Sequence, residues 1–529
     1  MKPMLKSAVA ALMLTLAAGT VAHAATPKDT LVMAYVIDDI ISLDPAEIYE
    51  FSNSEYQANV YDHLVVLDVK DPSKILNKAA ESWSVSPDGK TFTFKIRPGI
   101  KFQSGDDLTA DDAAFSLQRY VILDKSPAFI LNQFGLTKDT VKDRIRAKDA
   151  STLEIELDKA YAPTFFLNCL TYTSSILDKK LVMSHEQNGD LGNGWMKTHY
   201  AGSGPFFLRE WKPNESLILT TNPNYWGGVP KIKRVLIKNV TESATQQLLL
   251  QKGDVDIARN VTGDQLAALE KDPNVKIVSA AKATLWYLGL NTKNPNLAKP
   301  EVRKALKYLI DYDGLSNTLF KGVGRPHQTI LPDGQLGASD ATPYKLDIEK
   351  AKELLKQAGL ENGFSITMDT TNKTETMELA QAIQATWAKA GIKLEIKPAD
   401  NKQTLTKYRA RQHDIYIGQW GSDYQDPHSN AEGFATNMDN SDNAKTKPLA
   451  WRNAWDIPDL TKEVYAARDE MDNSKRVAMY QDIQQKVLDD GPYVILFQQI
   501  ETSAVKKNVD GFILGPSFDL NFYHDVVKH

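Results

Sequence analysis

The pattern of apolar and polar residues changes between two periods along this chain. Thr91–Ile96 and Thr152–Leu157 alternate apolar and polar side chains, which predicts two strands with one buried face each. Between them, apolar residues recur at helical spacing from Thr109 to Leu123. Because Thr109 is followed three residues later by Asp112, a capping-box pattern, we expect a helix to begin there.

The segment from residue 284 to residue 420 alternates strand patterns with helix patterns. The predicted strands are TLWYLGLN, FSITMDT, KLEIKPA and DIYIGQW. The predicted helices are Glu301–Asp311, Asp347–Gly359, Thr374–Gly391 and KQTLTKYRAR. Strands separated by helices of this length predict a largely parallel sheet with helices on both faces, so the fold class is α/β.

The remaining patterns are shorter. Strands are predicted at Leu217–Thr221, Arg234–Val240 and Val275–Ala280, and the helix SATQQLLLQKG ends at a glycine. A helical pattern covers Leu460–Asp490, with a break expected near Asn473. The segments YVILFQQ and TSAVKK predict two further strands near the end of the chain.

The first residues predict a secretory signal peptide, residues 1–24. Lys2 and Lys6 form a basic start, Ala8–Ala18 is apolar, and Ala22-His23-Ala24 has the small-x-small pattern of a cleavage site. The apolar run is too short for a membrane anchor, which needs about 20 residues. Because no Cys follows the cleavage site, we expect an exported, soluble mature chain without a lipid anchor.

Composition narrows the class of protein. Of the 529 residues, 42% are hydrophobic, which suffices for a core divided among about three domains or lobes. The formal net charge is −5 and no basic tract occurs, which argues against nucleic acid as a partner. The single cysteine, Cys169, excludes an internal disulfide, and its apolar neighbours predict a small, buried side chain.

The sequence contains no recognisable catalytic constellation. Ala201–Pro205 resembles a serine nucleophile elbow but lacks its first Gly, and Ser503–Lys506 matches S-x-x-K in a strand-like segment where that motif needs a helix. No histidines have metal-ligand spacing, and no cofactor motif is present. These observations favour a binding protein without cofactor or metal over an enzyme.

Four segments together resemble one family. The segment SPDGKTFTFKIRPGIKFQSGDDLTADDAAFSLQRY (Ser86–Tyr120) resembles the most recognisable block of the family 5 extracellular solute-binding proteins. These are the peptide-, oligopeptide- and nickel-type receptors of ABC importers. The chain also resembles three further blocks of the same family, in the family's order, at Ile41–Glu47, Gly202–Gly228 and Leu285–Asp311.

The resemblance implies an α/β fold, namely a two-lobed periplasmic binding protein clamp of type II with an extra inserted subdomain and mixed sheets with flanking helices. Lobe I would comprise residues 25–55, 200–280 and 498–529, the inserted subdomain 56–199, and lobe II 281–497. A peptide would bind between the lobes, and the closed form would engage an inner-membrane ABC permease. The resemblance thus implies a periplasmic monomer that performs no chemistry on its ligand.

The resemblance places ligand recognition on the corner GQWGSDYQDP, after the last parallel strand of lobe II. The matching acid is Asp423, which is expected to bind a peptide's amino terminus. Asp426, which precedes Pro427, is instead expected to cap the following turn. Gly421 and Ser422 would offer backbone groups that approach a ligand closely.

Four aromatic residues are candidates with an equally good structural alternative. Trp420 and Tyr424 would wall the pocket, or would pack in the core of a lobe. Trp286 and Tyr287 follow the first crossing between the lobes, so they would face the cleft or, equally, the core.

The ligand's other end is less well defined. Relatives that bind dipeptides hold the ligand's carboxylate with an Arg in the loop that here reads DTTNKT, where Lys373 is the only cation. Lys lacks the bidentate fork of Arg, so a longer peptide, an opine, an oligosaccharide or a metal chelate stays open as the ligand. Asp39, Ile40 and Ile41 are also candidates, because the matching loop often lines the cleft in relatives.

Overall fold

The computed structural model describes residues 26–529, so the predicted signal peptide, residues 1–24, lies outside the described residues. The strands are β1 Thr30–Tyr35, β2 Val65–Leu67, β3 Ile75–Asn77, β4 Ala80–Val85, β5 Thr91–Ile96, β6 Ile145–Asp149, β7 Thr152–Glu156, β8 Phe206–Lys212, β9 Ser216–Thr221, β10 Arg234–Asn239, β11 Ile257–Ala258, β12 Val275–Leu290, β13 Gly324–Pro326, β14 Ser365–Thr371, β15 Lys393–Ala399, β16 Ile415–Gly421, β17 Tyr493–Lys506, β18 Val509–Asp510 and β19 Val527–Lys528.

The helices connect these strands and cover the sheets. They are α1 Phe51–Val60, α2 Ala110–Leu123, α3 Phe129–Asn132, α4 Val141–Arg144, α5 Pro163–Thr173, α6 Lys179–Met183, α7 Asn193–Met196, α8 Ser243–Lys252, α9 Gly263–Leu269, α10 Pro300–Tyr308, α11 Tyr312–Asn317, α12 Ile348–Gln357, α13 Thr374–Ala388, α14 Asn401–Arg409, α15 Pro427–Ala435, α16 Leu449–Arg452, α17 Pro458–Asp469 and α18 Asn473–Asp490. Ser126–Ala128 and Phe518–Leu520 are 3-10 helices. The expected break near Asn473 is confirmed, since Asp472 caps α18 there.

One sheet of eleven strands runs through most of the chain, in the order β15-β14-β16-β12-β17-β11-β1-β10-β9-β8, with β13 beside β17. The long antiparallel strands β12 and β17 link its two ends. The second half of β12 pairs with β16, whereas the second half of β17 pairs with β11. These two strands therefore form two crossings between the parts of the fold.

Two predictions about these crossings are wrong in detail. The sequence predicts two strands at 275–280 and 284–291, and two more at YVILFQQ and TSAVKK, but β12 and β17 are each continuous. The pairing of β12 with β17 shifts register between Ala281 and Leu285. This irregularity interrupts the alternating pattern without ending the strand.

The predicted parallel arrangement holds for β14, β15 and β16. Helices α13 and α14 connect them, as crossover connections between parallel strands require. The sheet as a whole is nevertheless mixed, because β12 and β17 enter from the other part of the fold and pair antiparallel with their neighbours. Within residues 284–420 the prediction of a largely parallel sheet therefore holds except for the antiparallel pair of β12 and β16, and elsewhere in the sheet β1 pairs parallel with β10 and β11.

A separate four-stranded antiparallel sheet, in the order β4-β5-β7-β6, lies between residues 80 and 156. Its core contains the buried Phe92, Phe94 and Cys169. The predicted capping box is present at the start of α2, where both the backbone N–H and the hydroxyl of Thr109 donate to the carboxylate of Asp112. Cys169 is buried, as the sequence predicts.

None of the helices within residues 26–529 combines the length and the apolar character needed to cross a membrane.

Candidate functional site

A cavity of about 220 Å³ is lined by residues from five separate segments of the chain. These are the start of α1, the end of α5, the middle of β12, the corner that follows β16, and residues 516–519. The cavity therefore lies between α5, which packs in the core of the four-stranded sheet's domain, and the part of the large sheet formed by β12 and the corner after β16. This position between separately packed cores is typical of ligand sites.

The corner after β16 is held in place by its own hydrogen bonds. The N–H of Ser422 donates to the carbonyl oxygen of Ala283 on β12 (2.9 Å), and the N–H of Asp423 donates to the hydroxyl of Ser429 (2.8 Å). The hydroxyl of Ser422 donates to the side-chain oxygen of Asn430 (2.7 Å). The corner is thus tied both to the sheet and to α15, which orients the side chain that follows.

Asp423 places a carboxylate at the cavity. Its Oδ1 accepts a 2.5 Å hydrogen bond from the hydroxyl of Tyr49. Burial raises the pKa of Asp423 to about 6, although the hydrogen bond from Tyr49 acts to lower it. An ionised carboxylate in such a place is stabilised by a neighbouring cation, so Asp423 is suited to bind an ammonium group.

Asp426, three residues later, has a different environment. Its carboxylate is fully buried and accepts two hydrogen bonds from the guanidinium of Arg476, of 2.6 and 2.8 Å. It also accepts from the N–H of His428 (2.9 Å) as the N-cap of α15. The expectation that Asp426 caps the following turn is confirmed, and the salt bridge to Arg476 adds a structural role that the sequence did not reveal.

Gly421, Ser422 and Tyr424 also line the cavity. A Cβ on Gly421 would lie 3.5 Å from the hydroxyl oxygen of Thr284 and 3.9 Å from the ring of Phe51. The glycine therefore leaves space at this wall that a larger side chain would fill. Tyr424 is buried, and its ring packs at a centroid distance of 5.8 Å from Phe165 of α5.

Lys282 belongs to a buried charge network. Its Nζ lies 2.6 Å from a carboxylate oxygen of Glu501 and donates to the carbonyl oxygen of Gly515 (2.7 Å). Glu501 also pairs with Arg259, whose guanidinium donates two hydrogen bonds, of 2.6 and 2.9 Å, to Glu55. Two cations thus face two carboxylates, and we call Lys282, Arg259, Glu55 and Glu501 the Lys282 network.

Several cavity residues were missed by sequence reasoning. Phe51 stacks on Phe518 at a centroid distance of 4.4 Å, and the Nζ of Lys282 lies 4.4 Å from the centre of the Phe518 ring. Tyr49, Tyr172 and Asp519 are among the other lining residues that sequence reasoning missed. Their segments carry no periodicity or motif that marks them, because each becomes part of the site only through long-range packing.

Trp286, Tyr287 and Trp420 do not line the cavity. Trp286 and Tyr287 are buried in different hydrophobic cores, on Phe320 and Phe434 respectively. Because neighbouring residues of a strand point to opposite faces, and both faces of this sheet are covered, both side chains are buried. Trp420 is partly buried, and its indole N–H donates to Asn430 (3.2 Å).

The four remaining candidates also lie away from the cavity lining. Asp39 accepts a 3.3 Å hydrogen bond from the N–H of Ser52 at the start of α1. Ile40 is buried in a core, whereas Ile41 is 72% exposed. Lys373 is exposed as the N-cap residue of α13.

Comparison with known proteins gives consistent matches over most of the chain. A family model described as "Bacterial extracellular solute-binding proteins, family 5 Middle" matches residues 74–442. A probable D,D-dipeptide-binding periplasmic protein, DdpA of Escherichia coli K12, is 30% identical over 95% of each chain. The glutathione-binding protein GsiB of Shigella dysenteriae is 27% identical over 94% of each chain.

Solved structures are similar over a comparable extent. The periplasmic binding protein DppA from Helicobacter pylori in complex with the peptide STSA has a TM-score of 0.76 and 28% identity, covering 94% of this chain and 98% of that one. AgaA of A. tumefaciens R10 in complex with agropinic acid has a TM-score of 0.71 and 25% identity, covering 94% and 99%.

Proposed function

Because the chain belongs to the family 5 bacterial extracellular solute-binding proteins, we propose that it captures short peptides in the 220 Å³ cavity and delivers them to an ABC importer. Its fold is the mixed α/β, two-lobed fold of type II periplasmic binding proteins. The observation that carries the proposal is the carboxylate of Asp423, which lines a cavity between separately packed parts of the chain.

The peptide's amino terminus binds to Asp423. Burial alone makes the ionised carboxylate unfavourable, which is why its pKa is raised to about 6. An incoming ammonium group supplies the missing charge and makes a charge-assisted hydrogen bond, which contributes about 1.5–3 kcal/mol. Gly421 and Ser422 form part of the cavity wall, and Tyr424 adds apolar surface to it. Trp420 does not contact the ligand but supports the corner through its hydrogen bond to Asn430.

Ligand binding favours the closed arrangement of the lobes. The hydrogen bond from Tyr49 to Asp423 and the stacking of Phe51 on Phe518 surround the cavity from segments distant in sequence. A ligand that contacts all of these walls interacts fully only when they are assembled, so its binding energy shifts the population toward closure. The closed form is the one that the inner-membrane permease would recognise.

The cavity volume favours a small peptide. Its volume of about 220 Å³ lies below the range of roughly 300–1,000 Å³ found for small-molecule pockets. A di- or tripeptide suits this size better than a long peptide, which would protrude.

The lobe division accompanies this proposal. Lobe I is assigned to residues 25–55, 200–280 and 498–529, the inserted subdomain to 56–199, and lobe II to 281–497. The last two boundaries fall inside β12 and within β17, and the continuity of both strands supports their assignment as the hinge. The mature chain acts as a periplasmic monomer after removal of residues 1–24, and it performs no chemistry on its ligand.

A non-peptide ligand is the second candidate. Lys373, the sequence candidate for the ligand's carboxylate, does not line the cavity, and AgaA shows that a similar fold holds agropinic acid. A ligand that keeps an amine but is not a peptide, such as an opine, an oligosaccharide derivative or a metal chelate, would use the same corner.

Mass spectrometry of the ligand released from protein purified without refolding tests the proposal directly. We expect intact short peptides, and we expect a peptide mixture, more than opines or oligosaccharides, to raise the melting temperature. Asp423→Ala should abolish the peptide shift, whereas the exposed Glu349→Ala should leave it unchanged. Recovery of opines or sugars alone would replace the peptide with the second candidate.

A further inference from the structure

A second carboxylate, Asp519, lines the cavity together with Asp423. It lies in the 3-10 helix Phe518–Leu520, in a segment that sequence reasoning did not connect with the site. Burial raises the pKa of Asp519, and the charge of Lys282 offsets this only in part. The cavity therefore carries two acids on walls that come from different parts of the chain.

The charges of these two acids are not balanced by the lining. Among the described residues, the only cation that lines the cavity is Lys282. It belongs to the Lys282 network, in which two cations already face two carboxylates. Because its Nζ also donates to Gly515 and to the side-chain oxygen of Asn521, its hydrogen bonds are committed to the protein.

Tyr172 lines the same cavity as the two acids. Its hydroxyl donates a hydrogen bond to the carbonyl oxygen of Ile48 (2.9 Å). Burial raises the pKa of Tyr172, a hydrogen bond with Ser54 acts to lower it, and the charges of Asp519 and Asp423 act to raise it. Both carboxylates are therefore close enough to this wall to affect the same side chain.

Tyr424 adds an unpaired polar group to the lining. Its side chain lines the cavity and is 4% exposed, yet its hydroxyl has no hydrogen-bond partner in the described part of the chain. Because buried hydroxyls in folded proteins nearly always have a partner, this one is able to bond a polar group of the ligand.

We propose that the ligand is a short peptide with a basic side chain in addition to its amino terminus, and that Asp519 selects this second cation. The inference rests on the proposed function, because it takes the amino terminus to occupy Asp423. A Lys or Arg side chain compensates the second carboxylate, whereas a neutral side chain leaves it uncompensated next to buried surface. The peptide's own carboxylate is repelled from Asp519, so it lies on the far side of the basic side chain.

Isothermal titration of the mature, ligand-free protein with two matched dipeptides tests the inference. The probes are Ala-Lys and the same dipeptide with an acetylated lysine side chain, which keeps the length and removes the charge. The wild-type protein is expected to bind Ala-Lys with an affinity at least about tenfold higher than that for the acetylated form. A single hydrogen bond to a charged group accounts for a difference of this size. This comparison requires no variant and so does not depend on folding of a mutant.

The variants assign the preference to a residue. Asp519→Asn is expected to remove the preference while it leaves the affinity for the acetylated dipeptide within about threefold. Asp423→Asn is expected to weaken both dipeptides alike. Asp525→Asn, an exposed acid of the same segment that pairs with His524, serves as the matched control and should change neither affinity.

Two results would overturn the inference alone, namely equal affinities of the wild-type protein for the two dipeptides, or a preference that survives in Asp519→Asn. In both cases peptide binding that depends on Asp423 leaves the proposed function intact. If neither these nor other short peptides bind the wild-type protein, the proposed function and the inference fail together.

Discussion

The hydroxyl of Tyr49 donates a 2.5 Å hydrogen bond to Oδ1 of Asp423, across a separation of 374 residues in sequence. This bond joins the segment before α1 to the corner after β16. It also lowers the pKa of Asp423, against the larger effect of burial. The pair therefore sets both the assembly of the cavity and the proton affinity of the group that is proposed to bind the ligand.

Peptide affinity is expected to fall in acid. The ligand's ammonium group is proposed to bind the ionised form of Asp423, and burial raises the pKa of this carboxyl to about 6. Affinity should therefore be highest near pH 7, because Asp423 is half protonated at about pH 6 and the peptide's amine is half deprotonated at about pH 8, and should fall about tenfold per pH unit below 6. Titration calorimetry from pH 4.5 to 8 measures this limb; an affinity that is flat down to pH 4.5 would contradict the assignment.

Tyr49→Phe is expected to make the fall of peptide affinity in acid begin at a higher pH. Loss of the hydroxyl removes a hydrogen bond to the ionised carboxylate, so the pKa of Asp423 rises further, by about one unit. The same calorimetric series measures the shift. Tyr308→Phe, which removes a hydroxyl from a side chain that does not line the cavity, is the control and should leave the limb in place.

Asp423→Asn is expected to stabilise the ligand-free protein at neutral pH. Because the folded-state pKa is raised from its ordinary value near 4 to about 6, this group's contribution to stability is fully present below pH 4 and is lost as the pH rises through 6. Replacement by Asn removes that loss. The free energy of unfolding of the variant should therefore exceed that of the wild-type protein by up to about 3 kcal/mol at pH 7.5, and the difference should vanish near pH 4. Urea unfolding at both pH values measures it, and a less stable variant at pH 7.5 would refute the prediction.

Asp426→Asn is expected to act in the opposite direction. It leaves the buried guanidinium of Arg476 without its partner, and breaking a buried ion pair typically destabilises a protein by about 3–5 kcal/mol. The melting temperature should drop markedly. Lys462→Ala removes the exposed pair with Asp459 and should leave the melting temperature nearly unchanged; equal effects of the two variants would show that Asp426 has no special role.

Gly421→Val is expected to weaken peptide binding without unfolding the protein. The new side chain begins 3.5 Å from Thr284 and 3.9 Å from Phe51, so it extends into the cavity at a strand position that tolerates a β-branched residue. We expect a loss of affinity of about tenfold or more, since overfilling a packed site typically costs 1–3 kcal/mol. Gln419→Val, at an exposed position of the same strand, is the control; equal affinities of the two variants would show that the ligand does not approach Gly421.

Part of this architecture could be predicted from local sequence alone. The capping box of Thr109 and Asp112 and the cap at Asp426 involve residues within three positions of each other, so the same short segment contains both partners. The crossover helices between β14, β15 and β16 were also predicted from local sequence, because the spacing of their apolar residues reflects the faces that they bury. The corner residues Gly421 to Tyr424 came from the family resemblance, and they do line the cavity.

The rest of the site was decided by tertiary structure. Trp286 and Tyr287 were equally suited to cleft or core, and only the helices that cover both faces of the sheet determined that they are buried. Tyr49 and Asp519 come from segments without a periodic pattern, and long-range packing brings them to the cavity. The sequence by itself determined the local elements and the position of the corner after β16, because these depend on neighbouring residues. Only the tertiary structure decided which charges share the cavity, because that depends on how β12, β17 and the C-terminal segment bring distant residues together.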